Sequence, residues 1–225
     1  MLDNFSIEYR IRFYLIVGVF AVSTAAILIK LASEAHPLAI AFYRMFISVI
    51  VFLLIACIYR IQRPQHINVF TVKNNQVIRI LISSLGLAMH FWFWVWSLSF
   101  TSVASSVLLV TTNPFIVLLF SWIIWSHPIR LKMITGMFIG LIGGAIIILG
   151  DSQYDNNITG DLLALLGSLC IVPYVLCGRS LRKDMHILTY NLYVYGLATT
   201  FLFILIIIFQ IELFRLSVYT YFMLF

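Results

Sequence analysis

His90, Trp94 and Ser97 stand at i, i+4 and i+7, so on a helix they share one face. An imidazole, an indole and a hydroxyl on one face could bind an amphipathic solute by ring stacking and a hydrogen bond. The imidazole could also couple that binding to protons. His90 lies about 12 residues into an apolar segment, or ~18 Å from its start at about 1.5 Å per residue. Ionisable groups at that depth in a membrane are costly and usually face a cavity or a bundle interior. The alternative is a histidine satisfied by a neighbouring carbonyl or serine. Around it, Phe91, Trp92, Phe93, Trp94 and Trp96 crowd into six positions. Aromatic residues favour membrane interfaces, so only Trp94 or Trp96 is weighed for a cavity and the others for packing or lipid contact.

Other polar groups sit inside apolar stretches. Ser102, Ser106 and Asn113 form roughly one stripe. Pro114 removes the bond to the Val110 carbonyl and should kink its helix, with Thr111, Thr112 and Asn113 placed to re-satisfy the freed backbone. Pro173 frees the Leu169 carbonyl in the same way, beside Tyr174, while Cys170 and Cys177 share the Tyr174 face as small packing groups. The substrate-binding set read from these patterns is His90, Trp94, Ser97, Ser106, Asn113 and Tyr174. Arg44, with Ser48 one turn deeper, is expected to pair with Glu34 as a structural or gating ion pair, or else to meet a substrate carboxylate. Lys30 shares a face with Ser23 and lies near enough to the outer surface to snorkel. Gly136, Gly140 and Gly144 recur every four residues, a small-residue ridge for close helix approach within the monomer or between copies.

The elements that must position these residues are seven apolar segments: 13–33, 38–59, 77–100, 102–125, 133–150, 161–178 and 188–210. Crossing ~30 Å of hydrocarbon takes about 20 apolar residues. The chain is 63% hydrophobic and 10% charged, against about 25% charged in soluble domains, and a soluble fold of 225 residues could not bury that surface. The expected class is an all-α integral membrane protein, a polytopic helical bundle with the lipid bilayer as its first partner.

The net charge of +6 does not point to nucleic acid, because the charges alternate by loop. Arg10 and Arg12 precede segment 1; Arg60, Arg63, Lys73 and Arg79 flank the 2–3 connection; Arg130 and Lys132 lie between 4 and 5; Arg179, Arg182 and Lys183 lie between 6 and 7. Glu34, the group Asp151, Asp155 and Asp161, and Glu212 mark the other loops. This is the positive-inside pattern with a cytoplasmic N-terminus, residues 1–12. The loop 61–75 is then cytoplasmic, 151–160 external, and 211–225 an external interfacial tail or the start of an eighth helix. The three cysteines, Cys57, Cys170 and Cys177, have no metal spacing and imply no disulfide framework. Segment 1 resembles a signal peptide in its flanks, but Lys30 is out of place for cleavage and removal would spoil the charge alternation.

Lys30–Arg44 and Arg179–Val194 share a pattern: an apolar helix, a charged exit, a short turn and a Tyr-bearing helix. With one gap, His36 falls on His186 and Tyr43 on Tyr193. Five crossings separate the copies, so the second enters from the opposite side, as in inverted-repeat transporters.

Pro37 with Tyr43-Arg44, the stretch Ser99-Phe100-Thr101-Ser102-Val103-Ala104, Asn113-Pro114, the glycines from Gly136 to Gly144, and Gly160-Asp161-Leu162-Leu163-Ala164-Leu165 follow one another in the order and spacing of a known family. The chain resembles the EamA-type members of the drug/metabolite transporter superfamily. That resemblance implies two inverted five-helix repeats around a central cavity, and export or exchange of small organic molecules such as amino acids. Residues 13–150 correspond to the first repeat and 161–210 to the first two helices of the second. About three helices of the pattern are absent before Phe225, so a partner subunit completing the bundle, or a homodimer, is the second expectation.

Other classes fit less well. No carboxylate lies in a segment core and no His/Glu metal motif occurs, so no catalytic residue, metal or cofactor is assigned. A channel would show charged rings or a filter loop. The leading expectation is a transporter of amphipathic metabolites in the cell membrane, working by alternating access; the alternative is a non-transporting subunit or fragment.

Overall fold

Pro37 opens the second helix, and the turn before it shows how this chain reverses in a membrane. Proline lacks an N–H and has a fixed φ, which suits the first helical position. The preceding His36 caps the helix: its Nδ1 accepts from the Leu38 amide at 3.2 Å. In the computed structural model, which describes residues 2–62, 71–126, 131–150, 158–214 and 216–224, this turn joins α1 (Leu2–Leu31) to α2 (Pro37–Gln62). The same device joins α7 (Ile158–Leu181) to α8 (Ile187–Ile208), where His186 Nδ1 accepts from the Leu188 amide at 3.3 Å.

Between them run α3 (Asn74–Ser97), α4 (Val103–Val110), α5 (Asn113–Trp125) and α6 (Leu131–Gly150), and α9 (Val218–Leu224) follows α8. Among the described residues, six helices are long and apolar enough to cross a membrane, counting α4 and α5 as one. α6 adds 20 residues, about 30 Å at ~1.5 Å each. The seven expected segments are therefore all helical, and this is a polytopic helical membrane protein.

Several boundaries differ from expectation. Residues 2–12 continue α1 instead of forming a separate N-terminal stretch, and 158–160 already belong to α7. Arg63, Pro64, Arg130, Asp151 and Asp155 lie outside the described residues. The segment carrying Pro114 breaks outright: Thr111 and Thr112 separate α4 from α5, and their hydroxyls donate to the Leu108 carbonyl at 2.8 Å and the Leu109 carbonyl at 2.7 Å. Pro114 then sits in the first turn of a new helix, where its missing N–H costs nothing. α7 by contrast runs on through Pro173.

The core lies where α2, α3, α7 and α8 pack together, α3 chiefly on α7 and α2 on α8. Small residues allow the approach: Ala26, Ala39, Ala41, Ala88, Ala164 and Ala198 are fully buried. Bulky Phe13, Ile16, Phe20, Ile139 and Ile146 point outward, which costs nothing where the surroundings are hydrocarbon. Beyond α8, Gln210 takes a left-handed φ of 55° and the chain turns back. Tyr43 Oη donates to the Leu213 carbonyl at 2.6 Å, and the Glu34 carboxylate accepts from the Ser217 and Thr220 hydroxyls, each at 2.6 Å. These bonds lay α9 against α1 and α2.

Candidate functional site: an arginine cavity beside the helix 3–helix 7 seam

His90 faces α7. Its Nδ1 donates to the Gly167 carbonyl at 2.8 Å, which fixes the Nδ1–H form and the direction of the ring. Its ring lies nearly parallel to that of Trp94, with centroids 6.2 Å apart. α3 and α7 come close here because each presents a glycine to the other. A Cβ on Gly167 would stand 3.3 Å from the His90 carbonyl oxygen, and one on Gly86 only 2.7 Å from the Cys170 carbonyl oxygen. Of the two roles weighed for His90, the structure displays the carbonyl-bonded histidine.

Ser97 and Ser106 meet each other, Oγ to Oγ at 2.6 Å, and Ser97 also bonds the Trp94 carbonyl at 2.7 Å. Both are fully buried, so they tie α3 to α4 and line no open space. Thr112 and Ser168 make a similar joint from the α4–α5 break to α7 at 3.1 Å. Asn113 is half-buried at the head of α5. The expected binding face is thus distributed over helix joints and does not gather around one cavity.

The glycine ridge is also redistributed. Gly144 meets the Leu108 side chain, but Gly136 and Gly140 have no described neighbour within 4 Å of a built Cβ. The close approaches occur at isolated glycines instead, because there the facing element is backbone.

The expected Glu34–Arg44 pair does not form. Glu34 is held by Ser217 and Thr220 of the returning chain. These bonds, with one from the Ser217 amide, hold its carboxyl below the usual range although it is open to solvent. Lys30 turns inward rather than outward: its ammonium donates to the Leu98 and Thr101 carbonyls, neutralising the negative end of α3.

Arg44 remains half-buried, and its Nε has no hydrogen-bond partner among the described residues. A cation within an apolar helix costs ~3 kcal/mol to insert, so an unspent donor on it is conspicuous. The residue lines a cavity of about 230 Å³ together with Met45, Ile47, Ser48, Phe91, Tyr195 and Leu224. Four helices contribute: α2, α3, α8 and α9. The sequence-read residues stand just behind this wall. Phe91 packs edge-on against His90 and Trp94, at 5.2 and 5.9 Å between centroids, and Tyr195 interacts with the Tyr174 hydroxyl. Phe91, Tyr195 and Leu224 were not legible as site residues. The one signal was the run of tyrosines in α8, Tyr190, Tyr193 and Tyr195, which places hydroxyls where leucine would serve packing better.

A bundle of apolar helices with scattered, internally bonded polar groups defines a multi-pass membrane protein, and its described cavities include one lined by Arg44 and one lined by Lys30. Residues 10–149 match the EamA-like transporter family, and the chain belongs to that family. It is also 32% identical over 101 residues to the thiamine-repressible mitochondrial transport protein of Saccharomyces cerevisiae, covering 40% of this chain and 27% of that one. The chain therefore spans about a quarter of the length of the curated relative it matches. No solved structure matches it.

Proposed function

We propose that the protein moves small amphipathic organic solutes across a membrane by alternating access, with the cavity at Arg44 as part of the solute path. The observation that carries this reading is the pair of reversed hairpins. His36 and His186 cap α2 and α8 through the same Nδ1 bond, and five membrane passes lie between the two turns. Two equivalent turns approached from opposite sides of the membrane favour inverted repeats that rock about a central site. Membership of a transporter family agrees with this reading. With the basic loops inside, the N-terminus is cytoplasmic and the Arg44 cavity lies in the outer half of the bundle.

The test is counterflow in proteoliposomes loaded with unlabelled amino acids, aromatic acids or their neutral analogues, followed by uptake of the labelled solute. Accumulation above protein-free liposomes is expected for at least one class. No accumulation by folded, monodisperse protein would overturn the reading.

A bundle completed by further helices is the second reading. It is favoured by α1, of whose spanning window only 17% is buried. Native mass spectrometry in lipid discs separates the two: a working monomer excludes it.

A further inference from the structure

We infer that the Arg44 cavity is an anion subsite and that the solute it takes is a small organic acid, a carboxylate on an apolar body. The inference deepens the transport reading and rests on it. The chemistry is on the cavity wall. Arg44 supplies the only formal charge among the described lining residues, and no acid accompanies it. Its Nε is buried with no acceptor among the described residues, whereas the two charged groups nearest it in the α1–α2 hairpin sequence are engaged: Glu34 by Ser217 and Thr220, Lys30 by the Leu98 and Thr101 carbonyls.

Ser48 cannot serve as a second donor, because its hydroxyl already donates to the Arg44 carbonyl at 2.8 Å. Recognition therefore falls on the guanidinium fork, whose planar donors match a carboxylate two to two. Tyr195, also in the lining, is engaged with the Tyr174 hydroxyl, and the rest is Met45, Ile47, Phe91 and Leu224. These favour an apolar body, with the Phe91 ring available for stacking. At about 230 Å³ the space equals roughly eight waters of ~30 Å³ each, so it suits a solute of about ten non-hydrogen atoms. A lipid phosphate is the other source of an anion, and the test separates the two.

The probe is labelled benzoate, bound to the full chain in phosphatidylcholine nanodiscs and displaced by benzoate or by the neutral, isosteric benzamide. For the unaltered protein, benzoate should compete at about tenfold lower concentration than benzamide, as expected for one charge-assisted bond. Arg44→Lys should keep part of that preference, and Arg44→Gln should bring the two within about twofold, the size of a lost charge with packing retained. Equal competition by benzamide in the unaltered protein overturns the inference without any variant having to fold. A preference that survives Arg44→Gln overturns it too.

In discs containing phosphatidylglycerol, unchanged benzoate binding supports a solute site. Phosphatidylglycerol retained by the unaltered protein, lost in Arg44→Gln and excluding benzoate, would assign the site to a headgroup and sink the solute. The two readings fail separately. Acid-selective binding without flux in proteoliposomes removes the transport reading and leaves the subsite, while flux of neutral solutes without acid preference does the reverse.

Discussion

Gly167 offers its carbonyl to His90 Nδ1 at 2.8 Å, and only its missing side chain brings α7 that near to α3. Gly86 does the same from the other helix, against the Cys170 carbonyl and the Pro173 ring. Two glycines and one imidazole therefore hold the seam on which the bundle is built. It joins α3 to α7, the most extensive helix contact described.

The seam predicts a sharp contrast between glycines. Gly86→Ala would drive a methyl to 2.7 Å from a backbone oxygen that cannot swing away, and overpacking of that kind costs about 1–3 kcal/mol. Gly140→Ala meets nothing and should stay within about 0.5 kcal/mol of the parent. Thermal unfolding in one detergent compares them directly. Equal melting temperatures would show that the α3–α7 approach is not as close as described.

His90 gives the second prediction. His90→Ala removes the cross-helix bond to the Gly167 carbonyl, which keeps only its place in the α7 ladder, and should destabilise by about 1 kcal/mol, the range measured for side-chain bonds between membrane helices. His90→Asn keeps an N–H donor and should recover most of that loss. If His90 acts as a joint, the pH profile of flux in His90→Asn matches the parent. A profile that flattens would restore it as a proton-coupling group.

How much of this was legible in the sequence follows from what hydrocarbon demands. Span length and apolarity are set by bilayer thickness, so the seven helical segments were readable without any knowledge of packing. The His36 and His186 turns were readable as well, from Pro37 and the repeated pattern, although the caps the two imidazoles make were not. Which way a helix faces was not. Between His90 and Ser97 every residue of α3 is apolar or aromatic, so residue type there does not distinguish the side meeting α7 from the side meeting the cavity. His90 and Trp94 turn to α7, and Phe91, counted with the packing residues, lines the space by Arg44. Glu34 was matched to Arg44 because they are near in sequence, yet its partners lie 183 and 186 residues away. The ridge from Gly136 to Gly144 had the right spacing but, over its first two members, no described helix to meet.

Lys30 carries the third prediction. It bonds two carbonyls where α3 ends, and a bond from a charged donor is worth about 1.5–3 kcal/mol. Lys30→Met keeps the apolar stem but removes the donor. It should lower stability by about 1–2 kcal/mol after discounting for partial exposure, while Lys30→Arg should lose less. The check is thermal melting, with amide exchange at Thr101 as the local readout. An unchanged Lys30→Met would return Lys30 to a surface, snorkelling role.

Glu34 ties the returning chain to the first hairpin, and its ionisation sets when that tie holds. Hydrogen bonds from Ser217 and Thr220 lower its pKa from the ordinary value of 4.5. A carboxyl whose folded pKa lies below its unfolded one contributes stability that is complete above the unfolded value and disappears as pH falls through the folded value. The tie should therefore be indifferent to pH from 8 to 5, about half a unit above the ordinary value, and loosen only below that value. Exchange protection of the Thr220 and Tyr221 amides, which donate to the Ser217 hydroxyl and carbonyl, reports it once corrected for intrinsic exchange rates. Glu34→Gln retains an acceptor without charge, so its protection should be lower and flat across the whole range. Loosening of the parent already near neutral pH, or a Glu34→Gln curve that follows the parent, would mean that some other group fastens α9 to the bundle.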